Sequence, residues 1–384
     1  MTSPPLPGRV AFIRVFSKAP VGASVAQMLR TAFPEFEVDV LDVTTLLKRR
    51  PDVILMNGLA LIWAYGRDIL RGYRTIGEAF WGTSYLFTQT RKLIKQALAR
   101  RPGSYVFTFQ LQSMVDAHVD NLPHFVYTDH THLANLSYGR FNVRRLNSEA
   151  WLAQERSLYQ QADLVFTRSS NISRSLVEQY GLPPEKAVCA YVGVNVQPQP
   201  VGDDGRYHNQ HVLFVGSDWE RKGGPELAQA FQAVQKKLPQ ARLTIVGAAP
   251  ELDIPNCRVL GQIPVEDVSR YYQEASVFCL PTQLEPFGVA FIEAMAHQLP
   301  IIATAVGAIP DFVHNGYNGL LVAPNCVPEL TAALYTLLDN PSLCATYGAN
   351  GYQLFQERYN WDQVGKTIRR HVLASLHLSS LASQ

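Results

Sequence analysis

Short apolar runs and helical apolar patterns alternate along the whole chain, and polar or turn residues close each one. Residues 9–16 (RVAFIRVF) predict a first strand, 23–32 a helix, and 36–41 and 52–56 further short strands. Residues 104–109 and 123–127 return to strand character, 148–162 read as a helix, and 163–167 (DLVFT) as another strand. A helix from Ser169 stops at Gly181, with Pro183 and Pro184 behind it. After a stretch without period at 196–210 (VQPQPVGDDGRYHNQ) the alternation restarts. Strands are then expected at 212–215, 242–246, 259–260, 277–280, 301–303 and 320–322. Strands interleaved with helices predict parallel, helix-covered sheets, and the stretch without period reads as a linker between two of them.

Length agrees with that division. A chain of 384 residues exceeds one ordinary core, and two domains of roughly 150–200 residues are expected. With 47% apolar and 17% charged residues it is globular rather than disordered. The richest apolar stretch, 55–65, is interrupted by Asn57 and Gly58, so no membrane-spanning helix is predicted. The opening MTSPPLPGR lacks the apolar core of a signal peptide. Five cysteines without any C-x-x-C predict reduced thiols in a cytoplasmic protein, with no disulfide or metal role. The net charge of +2 hides an asymmetry. Residues 1–200 carry 22 Lys/Arg against 15 Asp/Glu, whereas the remainder carries 12 against 17, so the halves differ in kind.

Candidate chemistry concentrates in residues 281–300 (PTQLEPFGVAFIEAMAHQLP), directly behind the predicted strand 277–280. Pro286 suits a first helical position, and a strand, a tight loop and a helix start together aim backbone N–H groups at an anion. Glu285 precedes this helix and Glu293 lies inside it, flanked by Phe291, Ile292, Ala294, Met295 and Ala296. A carboxylate in such company needs hydrogen-bonding partners, and ligand hydroxyls are one candidate. Taken singly, each Glu is also an ordinary cap or wet-face charge. Earlier, Phe214-Val215-Gly216 closes a strand, and Arg221-Lys222-Gly223-Gly224 opens a helix in a manner that suits a diphosphate.

Glu285-Pro286-Phe287-Gly288 with Glu293-Ala294-Met295-Ala296 resembles the E-x7-E signature of retaining family-4 glycosyltransferases of GT-B fold. Residues 214–224 are similar to the donor-phosphate loop of the same family, with Ser217 where many members place an Arg directly after Gly216. Residues 307–311 and 315–319 resemble the loop behind the E-x7-E helix, so the likeness spans nearly the whole second half. It implies an α/β chain of two doubly wound, Rossmann-like domains facing across a cleft: 1–200 on the acceptor side and 201–365 holding a nucleotide-sugar. The last stretch, 366–384, is implied to cross back to the first domain.

By the same resemblance, Lys222 and Arg221 stabilise the leaving diphosphate, with Gly216 and Ser217 beside it. Glu293 holds ribose hydroxyls, and Glu285 with the backbone of Phe287, Gly288 and Val289 holds the sugar. In residues 125–132 (FVYTDHTH) the family's T-x-H-D loop is carried to His130, near the reacting carbon, in preference to His132. The first loop, 17–22, keeps Gly22 alone of the family's paired glycines. No D-x-D occurs, which fits transfer without a metal or other cofactor. The implied activity moves a sugar from a nucleotide-diphosphate donor to a lipid, lipid-linked or saccharide acceptor. The alternative is a nucleotide-sugar-binding protein without transfer. Nucleic acid is not an expected partner. Residues 48–101 carry 11 Lys/Arg against Asp52, Asp68 and Glu78, interleaved with Trp63, Tyr65, Tyr73, Phe80, Trp81, Tyr85 and Phe87. This pattern is either a solvated face over core aromatics or a surface for the anionic cytoplasmic face of a membrane.

Overall fold

The computed structural model describes residues 8–16, 20–138, 141–194, 205–285 and 288–382. They build two six-stranded sheets, parallel throughout. The first contains β1 (Arg9–Arg14), β2 (Glu37–Asp42), β3 (Tyr105–Leu111), β4 (His124–Thr128), β5 (Leu164–Thr167) and β6 (Ala187–Cys189), in the order β2-β1-β3-β4-β5-β6. The second contains β7 (His211–Val215), β8 (Arg242–Val246), β9 (Cys257–Gly261), β10 (Val277–Leu280), β11 (Ile301–Thr304) and β12 (Gly319–Val322), in the order β12-β11-β10-β7-β8-β9. The central strands are apolar without alternation because both faces are covered; β4 and β10 are buried along their whole length.

Each order reverses once, between β1 and β3 in the first sheet and between β7 and β10 in the second. Such a reversal splays two neighbouring loops apart at the carboxyl ends of the strands, leaving room for a ligand. The described chain divides into two compact units, Met1–Tyr191 with Val364–Gln384, and Val192–Gln363. The last helix, Trp361–Ala382, begins in the second unit and continues in the first. There Val364, Ile368 and Val372 are fully buried, and Arg369 donates to the Ala32 carbonyl at 2.7 Å and pairs with Glu35.

Three expectations are corrected. Residues 52–56 are no strand but part of the 20-residue helix Pro51–Leu70. Pro51 opens that helix, and Val53, Asn57, Leu61 and Tyr65 form its buried stripe at helical spacing. Asn57 and Gly58 do not interrupt it, and by length and composition the helix is apolar enough to cross a membrane. Residues 195–204 of the expected linker lie outside the described residues. Its end instead forms a 3₁₀ turn, Arg206–Asn209, in which buried Arg206 donates to the His297 carbonyl at 2.8 Å.

Candidate active site

The loops leaving β7 and β10 meet at the reversal of the second sheet. Gly223 makes their approach possible: its φ is +74°, and a Cβ there would lie 2.0 Å from the Pro281 carbonyl oxygen. Arg221 ties the two loops together. Its carbonyl accepts the Gln283 N–H at 2.9 Å, and its Nη1 donates to the Leu284 carbonyl at 2.8 Å. Its Nε also pairs with Asp218 at 2.9 Å. This lacing places Lys222 against Glu285, and Lys222 Nζ pairs with Glu285 Oε2 where both side chains are largely buried. Glu285 Oε1 in turn accepts the Gly288 N–H at 3.2 Å.

The helix expected from residue 288 is Val289–Ala296, capped by Gly288 at φ +68°. The helix therefore starts after Pro286; Pro286 and Phe287 themselves lie outside the described residues. Glu293 is half-buried, and burial pushes its carboxyl up to about 7, opposed by the Tyr272 hydroxyl, which donates to Oε2 at 3.1 Å. Tyr272 also stacks on His297, with ring centroids 5.1 Å apart. Sequence reasoning missed Tyr272, because nothing local to residues 265–274 pairs that ring with a helix beginning at Val289. Gly216 lies at the end of β7, where its N–H donates to the Val246 carbonyl at 2.9 Å, and Ser217 beside it is exposed. Among the described residues no group of three or more His, Cys, Asp or Glu is placed to hold a metal ion.

In the first unit, the loop after β4 borders a hollow of about 210 Å³ whose walls include Gln112, Asp129, His130, His132, Trp151 and Glu155. His130 and His132 differ sharply. The His132 Nε2 accepts the Asn147 N–H at 2.7 Å, and burial holds this ring down at about 4, so it is a neutral structural acceptor. The His130 Nδ1 is buried and has no hydrogen-bond partner among the described residues, and burial lowers its pKa as well. Glu155 forms the floor. It accepts from the Ser113 hydroxyl at 2.8 Å, the His132 N–H at 3.3 Å, and the Tyr159 and Tyr180 hydroxyls. Burial outweighs these donors and pushes Glu155 up to about 7. Sequence reasoning passed over it, although Trp151, Leu158 and Tyr159 set it on the apolar stripe of its helix. Of the first loop, residues 17–19 lie outside the described residues.

Two doubly wound sheets with their loops gathered at the reversals match solved structures over nearly the whole chain. The structure of sucrose-phosphate synthase from Thermosynechococcus elongatus covers 98% of this chain and 100% of its own, with TM-score 0.68 at 19% identity. The fold is GT-B. Anabaena HepE in complex with UDP-glucose shares the GT-B fold over 96% of this chain and 99% of its own, with TM-score 0.61 at 15% identity. Within it, residues 209–340 match the family described as Glycosyl transferases group 1. In sequence, the chain is 28% identical to the D-inositol 3-phosphate glycosyltransferase of Corynebacterium aurimucosum over 243 residues, 56% of this chain and 58% of the relative. The chain spans about half the length of the curated relatives it matches.

Proposed function

We propose that the protein is a retaining, metal-independent glycosyltransferase of the E-x7-E type. It would move a sugar from a nucleotide-diphosphate donor to a lipid, lipid-linked or saccharide acceptor. The observation that carries this reading is the Lys222–Glu285 pair at the reversal between β7 and β10. A buried ammonium and carboxylate in contact neutralise each other, and a donor would separate them. The ammonium would pass to a phosphate oxygen and the carboxylate to sugar hydroxyls, so both charges stay matched. Arg221 would hold the loops in register and add positive charge beside Gly216 and Ser217. Glu293 would accept from ribose hydroxyls, and the backbone of Phe287, Gly288 and Val289 would meet the sugar.

In the transfer step the bond from the anomeric carbon to the donor phosphate breaks while the acceptor oxygen bonds to the same carbon on the same face. The acceptor proton passes to the departing phosphate oxygen. Lys222 and Arg221 act on the charge that develops there. His130 would act on the reacting carbon. An acceptor carried on a membrane would also give a purpose to the basic, aromatic segment 48–101.

The test is titration calorimetry with UDP-, GDP- and ADP-glucose on the wild type, Lys222→Ala and Glu293→Ala. Each substitution is expected to weaken the donor that binds by about 2 kcal/mol or more, the scale of a lost charge-assisted hydrogen bond. Unchanged affinity in both variants would overturn the assignment. Product formation with and without mono- and disaccharide or polyprenyl-phosphate acceptors then separates transfer from binding alone.

A further inference from the structure

The helix Pro51–Leu70 has two apolar faces, and only one of them is covered. Its inward stripe is fastened by polar contacts as well as packing. Asn57 Nδ2 donates to the Phe80 carbonyl at 3.0 Å, and Tyr65 OH donates to the Gly82 carbonyl at 2.7 Å while accepting the Ser148 N–H at 3.0 Å. On the outward side Leu55 is 70% exposed, Leu59 57%, Ile62 65%, Trp63 91% and Leu70 89%, and Ile76 just beyond is 67% exposed. From 53 to 66 the sequence contains no charged residue. Exposed Lys48 and Arg49 stand before the helix, and exposed Arg67 and Arg71 at its end. A continuous outward ridge of this kind on a described surface marks an interaction site.

We propose that this ridge docks, lying in the interfacial plane, on an anionic lipid bilayer. The 20-residue helix is about 30 Å long, so its apolar side chains would enter the headgroup–acyl boundary as a row. The basic residues at both ends would then meet lipid phosphates, and Trp63 has the amphipathic ring that favours this depth. Charge decides against a second copy of the chain: both ends of the ridge are basic, so like would face like in either orientation. The inward hydrogen bonds decide against spanning, because a helix crossing the bilayer would have to abandon Asn57 and Tyr65 to hydrocarbon. The basic stretch along 48–101 is narrower in three dimensions, since Arg74 is buried, donating to Asn147 Oδ1 at 2.6 Å and to the Leu146 carbonyl at 2.8 Å. This surface deepens the transfer reading by naming where a lipid acceptor would be met, and rests on that reading only for its purpose.

The test is co-sedimentation of the full chain, without donor, with vesicles of phosphatidylcholine alone or mixed equally with phosphatidylglycerol. Strong recovery with the mixed vesicles, weakened by salt, is expected, together with a blue shift of tryptophan emission that Trp63→Phe removes. The triple variant Leu59→Ser, Ile62→Ser, Trp63→Ser should lower the partition coefficient by about tenfold or more at an unchanged melting temperature. Arg67→Glu with Arg71→Glu should lower it for anionic vesicles only. Three results would overturn the proposal: equal recovery with both vesicles, wild-type binding by the triple variant, or a wild-type dimer that the triple variant makes monomeric. Donor calorimetry on the wild-type chain, beside its vesicle recovery, separates the two readings. Intact donor affinity without vesicle binding sinks the docking surface alone, and vesicle binding without donor affinity sinks the transfer reading alone.

Discussion

Among the buried and half-buried carboxyls of the described residues, Glu285, Glu293 and Glu155 are each handled differently. Glu285 is neutralised by Lys222, Glu293 has the Tyr272 hydroxyl, and Glu155 has hydroxyl and N–H donors but no cation paired with it among the described residues. Burial therefore raises Glu155 from its ordinary 4.5 to about 7. The folded chain keeps a proton there that the unfolded chain releases. That stability is complete below the unfolded value and lost as pH rises through the folded one, in all about 3 kcal/mol. Melting temperature should accordingly fall between about pH 4.5 and about pH 7, and Glu155→Gln should remove part of the fall, the rest belonging to Glu293, which burial raises to about 7 as well. Persistence of the full slope in that variant would assign it elsewhere. The two histidines of the same loop offer a second contrast. His130→Ala should lower kcat by about a hundredfold while donor affinity stays put. His132→Ala, which strands the Asn147 N–H, should instead cost about 1–3 kcal/mol of stability. The reverse pattern would shift the catalytic role by two positions. Residue types and spacing made Lys222, Glu285 and Glu293 legible beforehand, because each stands in a dense motif. Glu155 and Tyr272 were not, because their partners come from distant segments.

At the scale of elements, the strand–loop–helix units around β7 and β10 depend on a backbone approach that only glycine permits. Gly223→Ala should destabilise the second unit by about 3 kcal/mol or more, through a Cβ driven into the Pro281 carbonyl at positive φ. Thermal unfolding followed by circular dichroism measures this, and a variant as stable as wild type would mean that the two loops do not need their close contact. Most strands of both sheets were readable from short apolar runs, since strands buried on both faces have no polar alternation to confuse them. The failure at 52–56 has the same origin. An all-apolar run has no period, so the apolar outward ridge of Pro51–Leu70 concealed the helical spacing of Val53, Asn57, Leu61 and Tyr65.

For the molecule as a whole, the chain returns at its end to the unit in which it began. Deleting residues 364–384 removes Val364, Ile368 and Val372 from full burial, at about 1.5–3 kcal/mol each, together with the Arg369–Glu35 pair. Hydrogen exchange should show the loss in β1, β2 and the helix Pro20–Ala32, with β7 to β12 protected as before; uniform loosening of both units would contradict this division. The sequence by itself determined two parallel α/β sheets and the motif residues of the second, because apolar period and turn chemistry are local properties of the chain. Only the tertiary structure decided which loops become neighbours. Lys222 and Glu285 are 63 positions apart, and they meet because the strand order reverses between β7 and β10. It also decided which apolar faces stay uncovered, since burial is a property of what packs against a helix and not of the helix alone.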